Sequence, residues 1–526
     1  MDKRKQRATK TNLLQSIQRA YQVALGSRKN DIPLNEYNQI LLSRRKFLQN
    51  AGKASLLTVA AGASFLAACT TKANPVIAIV GGGIAGLNAA YNLKRAGLFA
   101  DIYEASDRTG GRIFTAKDIM GKGLTTEMGG EFIDSTHEDM FKLINTFGLP
   151  LLDTDVESEK KLNHATYFIN NRLLTDRDIL EMFYPYTAQL AADIDTISDV
   201  ISYKEHSEAD KKFDNMSIAD YLTSIGISGD LYQLLDIAYT TEYGGDIAAQ
   251  SAINFLMLMD PGMSETFNYS GYSDERYKIK GGNQTITDEL TKRLLKQINF
   301  TYRLEAIYRS DEKGKTVLNF QTENGTKEVI ADFVILTMPF TILKDIKMHC
   351  GFSDLKIRAI NQLGYGRNAK FFAGFSKPHW RELGFTGFSF TDTLFQNGWD
   401  NSQLQIGEGA GYTIFTGGNA SDQLANLSDG EFASQLMPVL ESIFPGITLL
   451  QTQKFARYQW AASPFAKASY ACFKPGQYTT LEGAQREPSG NIYFAGEHCS
   501  FEFQGFMNGA AQTGREAAEA IIKAIG

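Results

Sequence analysis

The chain has 526 residues, a formal net charge of −6, 43% hydrophobic residues and 21% charged residues. That balance fits a globular protein of several domains and excludes a disordered, fibrous or many-span membrane chain. The acidic balance gives no basis for nucleic-acid binding. Four cysteines and six histidines occur without CxxC or HxxxH spacing, so neither a structural metal site nor a disulfide scaffold is expected.

At the front, Leu13, Leu14, Ile17, Ala20, Tyr21, Ala24 and Leu25 recur at helical spacing, with Asn12 as the expected cap and Gly26 as the expected stop. Arg44-Arg45 then precede a small-residue apolar stretch, Ala54 to Ala68, that ends in Leu66-Ala67-Ala68-Cys69. A basic patch, a mildly apolar segment and a small-residue site are the pattern of an export signal. This one resembles a twin-arginine signal with a lipoprotein cleavage box. On that reading residues 1–69 are a signal and extension, and Cys69 becomes a lipid-anchored first residue. The protein would then be an exported bacterial one, periplasmic or tied to the outer membrane; without the signal it is cytoplasmic. The stretch falls short of the ~20 apolar residues that span a bilayer.

Val76 to Val80 reads as a buried parallel strand, followed at once by Gly81-Gly82-Gly83-Ile84-Ala85-Gly86 and a helical run from Leu87 to Ala96. This is GxGxxG in its strand–turn–helix context. Gly81 permits the turn, Gly83 lets backbone approach a pyrophosphate, and Gly86 lets helix and strand pack closely. A second β-rich run ends at Glu104, 23 residues after Gly81, where a ribose-binding acid belongs. Gly110-Gly111-Arg112 follows, with Arg112 offering a forked donor set to phosphate oxygens. Glu127-Met128-Gly129-Gly130-Glu131-Phe132 supplies a further close-approach loop at Gly129 and Gly130. A simple nicotinamide dehydrogenase needs none of these additions; a protein that wraps a flavin dinucleotide along its length does.

Residues 140–270 are helix-prone, with Met257 and Met259 read as core filling. Leu304 to Tyr308 and Thr316 to Phe320 suggest an antiparallel meander before the strand Phe333 to Leu336. Near the C-terminus a short strand ends in Gly496-Glu497-His498, and a long helix begins near Phe506-Met507-Asn508-Gly509. Ala510, Ala511, Gly514, Ala517 and Ala518 give that helix a close-packing face. Its N-terminal end would favour negative charge on a reduced flavin, and Glu497 could accept from a ribityl hydroxyl. His498 has no orienting acid beside it and reads as structural or cofactor-lining.

These motifs, spread over residues 75–526, resemble the flavin-dependent amine oxidases: the monoamine, polyamine and L-amino-acid oxidases. The resemblance implies an α/β fold, in which a Rossmann-like FAD-binding domain is assembled from discontinuous segments (70–140, 271–345 and 456–526). An α+β substrate domain with a helical insertion would take up 141–270 and 346–455. It implies oxidation of a C–N bond, with dioxygen as the final acceptor and hydrogen peroxide as product. Lys370, in Asn368-Ala369-Lys370-Phe371-Phe372, matches the family lysine that reaches the flavin through a water. Tyr470 and Phe506 match the two aromatic walls that orient the amine in front of the flavin, and Trp460 matches a position that packs nearer the flavin. Ser469 stands where the monoamine oxidases carry their linking cysteine, so FAD is expected to be non-covalent.

The substrate is expected to be an L-amino acid, as in exported bacterial members with a Gly-Gly-Glu-Phe-Ile-Asp loop, with a primary amine or polyamine as the alternative. A desaturase, and a flavin-binding protein without turnover, stand further off. Phe132 occupies the place of the carboxylate-binding arginine of the snake-type amino-acid oxidases, so another arginine is required; Arg367 and Arg457 are the nearest in order. No base is evident in the motifs, and the amine is expected to react once neutral. A homodimer is one option for the assembly.

Overall fold

The structure, a computed structural model, describes residues 12–39, 75–259, 274–312 and 314–526. Arg44-Arg45 and the Leu66–Cys69 box lie outside the described residues. No described helix is long and apolar enough to cross a membrane.

Five parallel strands form the nucleotide-binding sheet, in the order Ile492–Phe494, Phe333–Leu336, Ile77–Val80, Ala100–Tyr103 and Ile298–Asn299. The first strand is buried along its whole length, as a parallel strand covered on both faces must be. The helix Ile84–Arg95 starts three residues earlier than its apolar run suggests, because the glycine turn itself enters the helix. The last helix, Met507–Ile525, packs on it through the small residues of its inner face. A Cβ at Gly514 would stand 2.1 Å from the Ala85 carbonyl, so only glycine allows this approach. Asn88 Nδ2 donates to the Ala511 carbonyl at 2.7 Å and fixes the register of the two helices.

The expected meander is present as Arg303–Arg309, Thr316–Thr322 and Gly325–Ala331, with Lys347–His349 added in parallel at its edge. The substrate region is built on a seven-stranded sheet: Gln451–Gln459, Ala369–Phe375, Ala410–Thr416, Asn397–Asp400, Phe385–Thr391, Asn163–Ile169 and Arg172–Leu174. Two of these strands come from within 141–270, so that stretch is not helical throughout. Its Ala165-Thr166-Tyr167-Phe168-Ile169 run, buried from Thr166 onward, is a strand paired in parallel with Phe385–Thr391. The strand Gln451–Gln459 likewise crosses the expected boundary at 455/456.

Between 176 and 256 the chain is mainly helical. Thr175/Asp178, Ser207/Asp210 and Ser217/Asp220 form capping boxes, each satisfying orphan N–H groups at a helix start.

The N-terminal helix departs from the sequence reading in two ways. It spans Asn12–Lys29 and does not stop at Gly26. A Cβ there would meet the Tyr37 ring at 2.5 Å, so the glycine serves a close approach and not a helix end. Nor is it a detached extension: Leu14, Ile17, Tyr21, Val23 and Leu25 are at most 2% exposed and share the core of the helical insertion. They pack on the helices Asp176–Phe183, Thr187–Thr196 and Gly229–Tyr243, and Gln18 donates to the Leu258 carbonyl.

Candidate active site

One cavity of about 1060 Å³ runs from the meander, past the glycine turn, to the inner face of the seven-stranded sheet. Tyr302 and Lys347 line one end; Lys370, Tyr470 and Phe506 line the other. Its length and its middle suit a dinucleotide. Gly81 sits at φ +112°, which the turn requires, and a Cβ on Gly86 would lie 2.0 Å from the Gly81 carbonyl. At Gly83 a Cβ would meet nothing nearer than Gly111 Cα at 3.8 Å, so bare backbone leaves a cradle that any side chain would fill. Glu104 is held against this turn: its carboxylate accepts from the Gly82 N–H at 2.6 Å and from the Ser106 N–H and hydroxyl at 2.8 and 2.7 Å.

Arg112 and Glu497 meet across the cavity wall. Arg112 donates to Glu497 Oε1 at 2.9 Å and to the Ser469 carbonyl. Glu497 Oε2 accepts from the Gly505 N–H at 2.9 Å. The pair ties the first and last segments of the nucleotide-binding region together, so the Glu497 carboxylate, expected to meet a ribityl hydroxyl, is already engaged with protein donors. The last helix has no side-chain cap at Phe506. Phe506, Met507 and Ala510 of its first turn line the cavity, so the positive end of the helix dipole lies at the cavity wall.

At the reacting end, Gly129 and Gly130 leave no room for side chains. A Cβ at Gly129 would stand 1.8 Å from the Arg112 carbonyl, and one at Gly130 would stand 2.7 Å from Met507 Cγ. That Gly129 Cβ would also stand 3.1 Å from the Trp460 ring, which donates to the Met128 carbonyl at 3.0 Å and lies against Tyr458. Tyr470 donates to the Thr241 carbonyl at 3.1 Å, and burial pushes its hydroxyl well above the usual range, so it stays protonated. Phe506 is set edge-on against His137. Phe132, Phe388, Trp399 and Phe415 form a continuous aromatic wall with centroid separations of 5.6 to 6.2 Å.

Lys370 is 6% exposed on a central strand whose seven residues are all buried. Its ammonium donates to the Glu127 and Gly129 carbonyls at 3.1 and 2.9 Å and to Glu131 Oε2 at 2.7 Å. All three N–H bonds are thus committed to protein acceptors. Lys278 lies 3.4 Å from the other Glu131 oxygen, which also accepts from Trp399 Nε1 at 3.0 Å. Burial pushes the Glu131 carboxyl up, but the two ammoniums outweigh it and hold it below the usual range. Glu127 lacks such pairing: burial pushes it up to about 7, against hydrogen bonds from the Asn283 N–H and Thr115.

Several of these residues escaped the sequence reading. Glu131, Asp134, Lys278 and Asn368 stood within motif segments with no role of their own, and Trp399 and Glu275 carried no motif. A signal existed, since a lysine inside the apolar strand Ala369–Phe375 demands a buried counter-charge. Ser469, at the position of the linking cysteine, is held by Asn368 Oδ1 at 2.7 Å. Cys472 is buried against Gly245. His498 is buried against Phe340, and burial lowers its pKa to about 4, so it is a neutral structural ring. Arg367 pairs with Asp422 and Asp246, and Arg457 with Asp429 and the Leu427 carbonyl. Neither lines the cavity. No cluster of metal-ligating side chains occurs among the described residues.

Three known proteins are similar to this chain along most of its length. The chain is 22% identical to pseudooxynicotine dehydrogenase from Pseudomonas sp over 505 residues, covering 90% of this chain and 94% of that protein. It is 24% identical to the L-amino acid oxidase bordonein-L of Crotalus durissus terrificus, covering 86% and 88% respectively. The solved structure of cyclohexylamine oxidase from Brevibacterium oxydans has the same fold, with a TM-score of 0.75, 21% identity, and coverage of 86% of this chain and 99% of that one. The family model for flavin containing amine oxidoreductase matches residues 84–522. The cofactor is FAD, held without a covalent bond, in keeping with the serine at 469 and a cradle of bare backbone. From the glycine turn to the last helix, this chain belongs to the flavin containing amine oxidoreductases.

Proposed function

We propose that the enzyme oxidises an amine with an apolar body and no α-carboxylate, using dioxygen as the final acceptor. This is the alternative raised by the sequence, preferred here over the L-amino acid. The carrying observation is the charge at the reacting end. Lys370 and Lys278 are both spent on Glu131, and Arg367 and Arg457 are paired away from the cavity. The segment 260–273, outside the described residues, contains no lysine or arginine. A carboxylate entering here would meet no unpaired lysine or arginine among the described residues at this end, and burying it unpaired costs several kcal/mol. A cationic amine instead meets Glu131, Asp134 and Glu275 around an aromatic pocket.

Bound FAD supplies the two-electron acceptor. The protein supplies Tyr470 and Phe506 to orient the nitrogen and the aromatic wall to hold the body and exclude water. The last helix's N-terminus favours negative charge at its end of the cavity. The test compares 2-phenylethylamine with L-phenylalanine, which differ only in the carboxylate, by peroxide release in air. We expect kcat/KM to favour the amine by roughly 100-fold or more, about 3 kcal/mol of unpaired charge. A preference for L-phenylalanine would reject the reading and restore the amino acid.

A further inference from the structure

Hydride can leave the α-carbon only when the nitrogen has a free lone pair, yet an alkylamine arrives at neutral pH as an ammonium. We propose that Glu275 receives the proton that the substrate ammonium must shed. The inference rests on the amine reading above and names the group that prepares the substrate. In the step an N–H bond breaks, a carboxyl O–H bond forms and the nitrogen keeps the electron pair. Ammonium and carboxylate become neutral amine and neutral acid, so charge is conserved and no oxidant is consumed.

Glu275 lines the same cavity as Tyr470 and Phe506 and is 8% exposed. Its backbone is fixed, the N–H donating to Asp134 Oδ1 at 2.8 Å. The next residue back is pinned too, since Asp274 accepts from the Ser135 N–H at 2.9 Å and from its hydroxyl. The Glu275 carboxylate accepts no hydrogen bond from any described residue. The neighbouring acids are engaged. Glu131 holds two lysines and Trp399, and Asp134 takes the Glu275 N–H and lies 3.2 Å from His137 Nε2. Lining the same cavity as the cage aromatics, and with no donor among the described residues, the Glu275 carboxylate is therefore the acceptor left for a substrate N–H.

An ordinary carboxyl would be a poor acceptor, because about six pKa units separate it from an alkylammonium. Burial raises the Glu275 proton affinity well above the usual range. Asp134 and Glu131 on the glycine-loop side, Glu242 on the helix Gly229–Tyr243, and Asp274 before it in the chain raise it further. Lys278 and His137 face Glu131 and Asp134. Desolvation lowers the ammonium's hold on its proton at the same time. The two affinities converge, and one shared proton can reside on the carboxyl while the nitrogen reacts.

The test follows flavin bleaching by 2-phenylethylamine without oxygen, from pH 6 to 10, in the FAD-loaded wild type, E275Q and E275D. We expect E275Q to lose roughly 100-fold in rate near pH 7. The deficit should shrink about tenfold per pH unit as solvent supplies free amine, and E275D should keep the shape of the wild-type profile. A second readout needs no turnover. tert-Butylamine has no α-C–H to lose, and its binding, read from the flavin's visible spectrum, should weaken about tenfold or more in E275Q at pH 7 and less at pH 10. A deficit equal at every pH, or none, overturns the assignment. Wild-type flavin that no amine bleaches overturns the amine reading instead, and the tert-butylamine comparison then decides Glu275 on its own.

Discussion

Cutting the chain before Cys69 would remove the helix Asn12–Lys29, and the structure lets the cost be worked out. Leu14, Ile17, Tyr21, Val23 and Leu25 are at most 2% exposed. Burying one such side chain contributes about 1.5–3 kcal/mol, so the five contribute roughly 7–15 kcal/mol, an upper figure because unfolded chains are already partly compact. That matches the whole stability of a typical domain, about 5–15 kcal/mol. A chain of residues 70–526 should therefore lose the helical insertion's packing, and with it the platform for Tyr470 and Thr241. Supplying residues 1–39 as a separate peptide should restore it. The smaller perturbation, Tyr21→Ala, empties a fully buried site beside Tyr221 and should cost about 3–5 kcal/mol. At roughly 2–4 °C per kcal/mol for a unit of 150–250 residues, the first unfolding midpoint should fall by roughly 6–20 °C. The assay is thermal release of flavin fluorescence from full-length, Y21A and 70–526 proteins. If 70–526 melts within about 2 °C of the full chain, the helix is dispensable and this reasoning fails. If it does not, export with cleavage at Cys69 requires that the helix stay bound as a fragment.

Two further predictions concern the buried charges. Lys370→Met leaves Glu131 with Lys278 alone and removes a positive charge at the reacting end. Flavin reoxidation by dioxygen should slow roughly 10–100-fold, and reduction by amine should slow less; stopped-flow traces showing the opposite order would remove Lys370 from the oxygen step. His498 is buried neutral, its pKa lowered to about 4 from an unfolded value near 6.5. Above pH 6.5 both states are unprotonated and nothing is lost. As pH falls from 6.5 toward 4 the unfolded chain gains a proton the folded chain refuses, removing up to about 3 kcal/mol. Neither ring nitrogen has a hydrogen-bond partner among the described residues, so His498→Phe should flatten the pH dependence of urea unfolding across that window; an unchanged slope would assign the acid sensitivity elsewhere.

The nucleotide half of the protein was legible in the sequence, because its constraints are local. A glycine at φ +112° before a helix, and a glycine where a Cβ would stand 2.0 Å from a carbonyl of the same turn, leave the GxGxxG letters as their direct record. The small residues of the last helix likewise record a close approach along one face. The aromatic positions at 460, 470 and 506 could be carried over by resemblance, and all three line one cavity. Charge pairing could not be read that way. Lys370, Lys278 and Glu131 lie on three separate elements, and only the closure of the seven-stranded sheet over the glycine loop makes them a buried ion network. The same closure commits Arg112 to Glu497, turns Arg367 and Arg457 outward and leaves the Glu275 carboxylate without a hydrogen-bond donor among the described residues. Residues 12–29 look amphipathic in any reading, but an apolar stripe states only that it must be covered. What covers it, and hence that the segment belongs to the folded body, was decided by long-range packing against helices more than a hundred residues away.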